Sequence, residues 1–414
     1  MAQRHFFEVE PVNRFAGLNA AIRRPRACFP DEITFFSYDE DHRFRLDGSS
    51  LRYYYPPALP CDLNGGFETF RQLDDSADDH LDGLLEAMMT YEKEKGSKTE
   101  MDYITWRGMM TKIMVVPFSK LDDWEMNATL FQGTIFIEEN HTKKISSRQE
   151  QLSSRARAGN GDQDLMSFWG YKFETLSLLP EPWSSTSRGY IESREHQIVS
   201  NYAQYCSIVR TGFGKVKMIL GGEVDAVMDF KPEDKSLPVN WVELKTTAAV
   251  TNEREQIKFE RKLLKFWAQS FLLGVPKIIV GYRTPQGILE RLEELDTQAI
   301  PERVRLHGKG LWDGQICINF ASSFLEWLKG VITDDGVWRI RKREGLPGIE
   351  VFKVEETGHG DILSPAFLEW RISGLQNHQH RYLHHQHQQQ QSDVTEQANG
   401  DGPASGSPVC QSGG

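Results

Sequence analysis

The sequence predicts an α+β (mixed α/β) fold, a single folded domain built on a central mixed β-sheet flanked by helices. Three observations carry this. Segments rich in β-branched and aromatic residues alternate with segments of helical spacing. An apolar run follows directly on a helix stop signal. The composition, 39% hydrophobic and 26% charged over 414 residues, supplies enough apolar surface for a large core.

Taken in order, "DHLDGLLEAMMTYEKEK" (79–95) repeats apolar residues at Leu81, Leu84, Leu85, Met88 and Met89, a helical stripe. "YITWRGMMTKIMVVPF" (103–118) and "ATLFQGTIFIEEN" (128–140) read as strands. "HTKKISSRQEQLSSRARAGNGDQD" (141–164) is polar throughout and reads as a long surface loop. "NEREQIKFERKLLKFWAQSFLLG" (252–274) is a helix stopped at Gly274, with Pro276 just beyond. "PKIIVGYRT" (276–284) is a fully apolar strand, and "NFASSFLEWLKGVI" (319–332) a late helix. The folded domain is assigned to 1–376. From Asn377 to Gly414 the chain turns His/Gln-rich and then Gly/Ser/Pro-rich, and such a segment buries too little apolar surface to offset its ordering entropy.

The formal net charge of -11 argues against indiscriminate coating of nucleic acid, while leaving room for a local basic groove. Cys28, Cys61, Cys206, Cys317 and Cys410 form neither a CxxC pair nor a zinc spacing, which indicates a reducing compartment without disulfides. No apolar run approaches the roughly 20 residues of a membrane span, and the start lacks a signal-peptide core. Cytosol or nucleus is the expected location. The basic string "RRPR" (23–26) is too short to choose between them.

The chemistry concentrates in "GGEVDAVMDF" (221–230) and "WVELKTT" (241–247), joined by the loop-like "KPEDKSLPVN" (231–240). Side chains alternate along a strand. Glu223 and Asp225 therefore share one face of a first strand, and Glu243 and Lys245 one face of a second. If the two strands pair, four ionisable groups meet. A solvated strand face accounts for any one of these residues alone. Two acidic residues followed at a strand's spacing by Glu-x-Lys is, however, the pattern of metal-dependent phosphodiesterases. Carboxylate oxygens suit Mg²⁺ or Mn²⁺, two such ions can hold both attacking and leaving oxygens, and a lysine can orient water or stabilise developing charge.

With these motifs the chain resembles the DXO-like decapping nucleases, in particular the fungal nuclear branch that partners the nuclear 5′-to-3′ exoribonuclease. "ITWRGMMTK" resembles the family's first motif, "GYKFE" its next, and "GEVD" and "VELK" the acidic pair of motifs. "KLLKFWAQSFLLGVP" with "VGYR" resembles the last two, and "LRYYYPP" and "YCSIVR" resemble further segments. The resemblance covers about 30–370. It implies that Glu174, Asp225 and Glu243, with the Leu244 carbonyl, hold one metal, and that Glu223 and Asp225 help hold a second. It implies that Lys245 and Gln269 face the scissile phosphate, that Arg107 with its neighbours Trp106 and Gly108 clamps a 5′ phosphate, and that Arg52 and Cys206 line the RNA channel. Arg107 has an alternative reading, an arginine inside an apolar strand paired with a buried carboxylate. Lys258, Arg261, Lys262 and Lys265 share one helix, as a solvated face or as an RNA-backbone track.

The function so implied is removal of pyrophosphate from 5′-triphosphate RNA and of incomplete or NAD-type caps. The product is 5′-monophosphate RNA, in nuclear quality control beside an exoribonuclease partner that the protein stimulates. A mainly distributive 5′-to-3′ exonuclease and a largely non-catalytic stabiliser of that partner are the rival readings.

Overall fold

The computed structural model describes residues 3–20, 30–158, 163–234 and 237–374. The "RRPR" string, Cys28 and the segment from Asn377 lie outside the described residues. Among the described residues two compact units are present: one within 3–88 and 100–364, the other within 89–99 and 365–374. In the second, Arg371 donates from Nε and Nη2 to the two oxygens of Glu92, each at 2.7 Å, and both side chains are fully buried.

The first unit carries two mixed sheets, so the mixed α/β class holds with two sheets in place of one. The larger runs in the order Arg4–Glu8, Gly348–Glu355, Val337–Lys342, Trp124–Phe131, Thr134–Glu139, Tyr103–Trp106, Val216–Glu223, Gln204–Phe213, Asp31–Tyr38 and Phe44–Arg45. Its neighbours pair antiparallel except around Tyr103–Trp106, which is parallel to the strand on each side. The smaller sheet runs Cys61–Asp62, Ile288–Asp296, Lys277–Arg283, Trp241–Ala248, Ala226–Val227, Tyr53–Tyr54 and Leu178–Leu179.

Parallel strands need a crossover, and the Glu253–Leu273 helix supplies it between Trp241–Ala248 and Lys277–Arg283. The Asn252 side chain accepts from the Glu255 N–H at its start, a cap worth about 1 kcal/mol. Gly274 ends the helix at φ 72°, where an L side chain is disfavoured and a Cβ would also press on Pro30 at 3.0 Å. Alternation decides the faces of the smaller sheet. Val242, Leu244 and Ile279 pack under Phe168, Trp169, Phe173 and Leu176 of the Gln163–Ser177 helix. Trp241, Ile278 and Val280 join Phe259, Leu263 and Trp267 of the crossover helix in the main core.

Three sequence expectations are corrected. The strand read over 103–118 stops at Trp106, and Arg107–Met114 is a helix. Met109, Met110, Ile113 and Met114 are buried at helical spacing, and Arg, Met and Lys are good helix formers. The surface loop read over 141–164 is instead helix over His141–Ala158, with a second helix starting at Gln163. The Asn140 side chain caps the first by accepting from the Lys143 N–H at 2.8 Å. The strand read over 221–230 is broken: Val216–Glu223 ends in the larger sheet and Ala226–Val227 begins in the smaller. Glu223 and Asp225 therefore do not share a strand face. No helix among the described residues is long and apolar enough to cross a membrane, and Cys61, Cys206 and Cys317 are free thiols.

Candidate active site

The site lies where the chain passes from one sheet to the other. Glu223 ends its strand opposite Cys206. The Val224 N–H then donates to the Tyr205 carbonyl at 3.1 Å, and Asp225 follows in the crossing, immediately before the Ala226–Val242 pairing. The two glycines before Glu223 make room on this side. A Cβ on Gly221 would lie 2.9 Å from the Trp106 ring, and one on Gly222 would lie 3.0 Å from the Arg107 Cβ. That close approach lets Arg107, the first residue of its helix, reach the smaller sheet.

There Arg107 Nη1 lies 3.6 Å from Glu243 Oε2. Both atoms are buried and make no hydrogen bond. The other oxygen of Glu243 pairs with Lys245 Nζ at 2.6 Å. Asp225 Oδ2 accepts from the Leu244 N–H at 2.6 Å, which ties the crossing to the Glu-x-Lys strand. Glu174, on the Gln163–Ser177 helix, feels the charges of Asp225, Glu223, Lys245 and Glu243. The structure thus brings Glu174, Glu223, Asp225, Glu243, Lys245 and Arg107 into one electrostatic cluster. The alternative for Arg107, a partner for a buried carboxylate, is the contact it makes here, from a helix start and not from within a strand.

Charge is out of balance in this cluster. Glu223 is exposed as a residue, yet the protein mass crowding its carboxyl, with the Asp225 charge next, pushes it up to about 7. Burial and the Glu243 charge push Asp225 to about 6 against the pull of Lys245 and the Leu244 N–H. Burial and then Asp225 and Glu223 raise Glu174 well above the carboxylate range. Burial works to raise Glu243 too, but Lys245 and Arg107 outweigh it and hold that carboxyl low. Burial opposes the charge of Lys245, yet Glu243 and Asp225 raise it. Three carboxylates short of positive charge form an all-oxygen donor set suited by type to a hard divalent cation. In their present rotamers, no three His, Cys, Asp or Glu side chains among the described residues converge closely enough to ligate one ion. The donors fit such a cation by type and by their shared electrostatic surroundings.

The other sequence candidates take separate positions. Cys206 is buried beside Glu223, and burial and that charge raise its thiol, so it is no thiolate nucleophile. Gly108 has open space around its Cα. Arg52 pairs with Glu40 at 3.1 Å, while its carbonyl accepts from the Val227 N–H. Gln269 is half-buried on the crossover helix, with no hydrogen bond to the cluster among the described residues. Sequence reasoning missed His80 and Glu138. Both line a cavity of about 360 Å³ that reaches Trp106, Cys206 and Glu223. His80 Nδ1 lies 2.8 Å from Glu138 Oε2, and the His80 carbonyl accepts from the Trp106 indole at 3.0 Å. His80 also holds a positive φ of 45°, costly for a non-glycine residue. No local pattern links two residues so far apart in sequence.

Comparison with known proteins follows the same lines. The profile of the family described as "RAI1 like PD-(D/E)XK nuclease" matches residues 29–368. The chain is 60% identical over 365 residues to the decapping nuclease RAI1 of Aspergillus fumigatus, covering 88% of this chain and 98% of that protein. It is 37% identical over 331 residues to the decapping nuclease din1 of Schizosaccharomyces pombe, covering 74% and 89%. Among solved structures, Candida albicans Rai1 in complex with pU5 and Mn²⁺ superposes with a TM-score of 0.78 at 32% identity, over 83% of this chain and 95% of that one. Scheffersomyces stipitis Rai1 in complex with (3′-NADP)⁺ and calcium ion gives 0.77 at 30% identity, over 83% and 95%.

Proposed function

The chain belongs to the RAI1-like PD-(D/E)XK nuclease family, as a decapping nuclease and hydrolase, and from that premise we propose that it removes pyrophosphate from 5′-triphosphate RNA and excises incomplete or NAD-type caps, leaving a 5′ monophosphate. The observation that carries the reading is the cluster of Glu174, Glu223, Asp225 and Glu243, running from the exposed Glu223 through the half-buried Glu174 and Asp225 to the buried Glu243, faced by Arg107 and Lys245 and short of positive charge. A surface with no polyanion to meet gains nothing from such crowding.

Glu174, Asp225 and Glu243 with the Leu244 carbonyl hold a divalent cation, Mg²⁺ or Mn²⁺, and Glu223 and Asp225 help hold a second. Bound there, the metal supplies Lewis-acid polarisation and charge neutralisation at the phosphoryl oxygens. The relatives solved with Mn²⁺ and with calcium ion support a divalent cation. Lys245 fixes Glu243 by its 2.6 Å contact and presents its ammonium toward the phosphate. Arg107, anchored weakly at 3.6 Å, is free to turn its planar fork onto a 5′ phosphate. Gln269 reaches the scissile group from the crossover helix. Trp106, Gly108, Arg52 and Cys206 line the path of the RNA. The setting is nuclear RNA quality control, with a 5′-to-3′ exoribonuclease as the partner that the protein stimulates and that consumes the monophosphate product.

The test is a panel of triphosphate, unmethylated-cap, methylated-cap, NAD-cap and monophosphate RNAs, run with wild type and Asp225→Asn. Release of pyrophosphate or intact cap by wild type, lost together in the variant, is the expected result. Nucleotide-by-nucleotide digestion of the monophosphate RNA alone would replace the reading with a distributive exonuclease.

A further inference from the structure

Lys231 stands four residues past Ala226–Val227, at the start of the polar connection to Trp241. Its side chain turns back into the protein. Nζ lies 3.9 Å from the centre of the Phe35 ring, 5.1 Å from that of Tyr205 and 5.5 Å from that of Trp241. It donates to the Tyr205 hydroxyl at 2.6 Å and pairs with Glu32 Oε1. The other oxygen of Glu32 accepts from the Ser207 hydroxyl at 2.7 Å. Three aromatic faces and one carboxylate thus enclose a single ammonium. The walls of this box come from both sheets. Glu32, Phe35, Tyr205 and Ser207 belong to the larger, and Trp241 opens the Glu-x-Lys strand of the smaller. Each wall borders the acidic site. Tyr205 precedes Cys206, the partner of Glu223, and its carbonyl receives the Val224 N–H within the crossing. Trp241 pairs with Val227 and shares its strand face with Glu243, two residues and so about 7 Å further along. Where the walls meet, the Tyr205 and Trp241 rings lie 5.6 Å apart, tilted by 40°.

We propose that Lys231 is a positioning residue for the acidic site: its ammonium clamps the larger sheet to the smaller beside the 223–225 crossing and sets the separation of Glu223 from Asp225 and Glu243. This rests on the hydrolase reading above and adds to it the group that keeps the two sheets in place. The crossing is a poor spacer by itself. Only Val224 and Asp225 lie between the two ladders, and the like charges of Glu223, Asp225 and Glu243 push the sheets apart. Apolar contact between the Tyr205 and Trp241 rings opposes that push without direction. The ammonium opposes it from one fixed point, because it is attracted to Trp241 on one side of the seam and to Phe35, Tyr205 and Glu32 on the other. Lys231 makes no contact with the carboxylates it serves. It acts through Tyr205, whose main chain holds the crossing, and through Trp241, whose strand holds Glu243.

Lys231→Met keeps most of the stem and removes the charge, whereas Lys231→Arg keeps a charge that stacks on rings and pairs with a carboxylate. Mn²⁺ binding to the full chain, followed by the electron paramagnetic resonance of the free ion, reads the clamp without any RNA. Lys231→Met should weaken that binding by about 10–100-fold, the usual effect of losing an outer support of a metal site. At saturating Mn²⁺ it should lower kcat on triphosphorylated RNA by about tenfold and leave KM near wild type. Lys231→Arg should restore both to within about threefold of wild type. Lys231→Met also strands Glu32, so its melting temperature in EDTA should fall. Adding Glu32→Gln removes the stranded charge and should recover the melting temperature without recovering Mn²⁺ affinity. Wild-type Mn²⁺ affinity in Lys231→Met, or affinity that returns in step with the melting temperature in the double variant, would overturn the clamp. Asp225→Asn separates the two readings: wild-type Mn²⁺ binding and hydrolysis by that variant sink the metal-hydrolase reading, whereas its loss of both beside an unaffected Lys231→Met sinks the clamp alone.

Discussion

Asp225→Asn should stabilise the metal-free protein at neutral pH and leave it unchanged in acid. Asp225 is half-buried, and burial with the Glu243 charge lifts its carboxyl from 3.8 to about 6 despite Lys245 nearby. Below the unfolded value both states are protonated and the site costs nothing. As pH rises from 3.8 toward 6 the unfolded chain ionises first, so folding loses free energy, and above 6 the loss is complete. Roughly two pH units at 1.4 kcal/mol each set the strain at about 3 kcal/mol. Asparagine removes that strain and keeps an oxygen for the Leu244 N–H, now accepting at 2.6 Å without charge assistance, a loss of about 1 kcal/mol. A net gain of about 2 kcal/mol corresponds to a rise in Tm of about 2–3 °C for a domain of this size. Thermal unfolding in EDTA at pH 8 and again near pH 4 measures it. Saturating Mn²⁺ should then reverse the order at pH 8, since binding at about 100 times Kd adds about 2.7 kcal/mol to wild type and little to the variant. A variant less stable than wild type in EDTA at pH 8, or a difference that does not change with pH, would show that Asp225 is not held under like-charge strain.

Two further outcomes are expected. Lys245→Ala should lower kcat by about 10²–10³, the usual effect of losing one electrostatic contact to developing charge, while Mn²⁺ still raises the melting temperature; loss of the metal-dependent rise would instead make Lys245 part of metal retention. Glu92→Ala should cost about 3–5 kcal/mol in urea unfolding of the full chain, because it strands Arg371, fully buried and held by two 2.7 Å hydrogen bonds, and removes the acceptor for the Thr99 N–H; a cost below about 1 kcal/mol would mean that water reaches the guanidinium.

Elements whose pattern is a property of their own residues were legible. The 252–274 helix carries its cap, its apolar stripe and its stop within one segment, and the Lys277–Arg283 strand is apolar because both of its faces are covered. The errors fall where the deciding partner is remote. Met109, Met110, Ile113 and Met114 satisfy a strand's composition and a helix's spacing equally, and packing in the main core settles the matter. The 141–158 segment has no apolar stripe to announce a helix; its signals were the Asn140 cap and its straight-chain residues, weak beside a run of Ser, Lys and Arg.

The site divides in the same way. Glu243 and Lys245 sit within one strand, so alternation alone put them on one face, where a 2.6 Å contact joins them. Glu223 and Asp225 have the same spacing and a different geometry, because the chain changes sheets between them. An unbroken strand would pair both neighbours of Asp225 within one ladder and hold its carboxylate parallel to that of Glu223, on the sheet that lacks Glu243. Breaking the ladder after Glu223 lets Asp225 accept from the Leu244 N–H of the other sheet, and so stand between the Glu-x-Lys strand and Arg107. Two carboxylates one residue apart thus serve two sheets, and the glycines at 221 and 222 are what allow Trp106 and Arg107 close enough to meet them. The acidic spacing that first drew notice is the trace of that crossing: a passage packed between two sheets is an expensive place for charge, and it is the place where charges from both sheets can act on one phosphate.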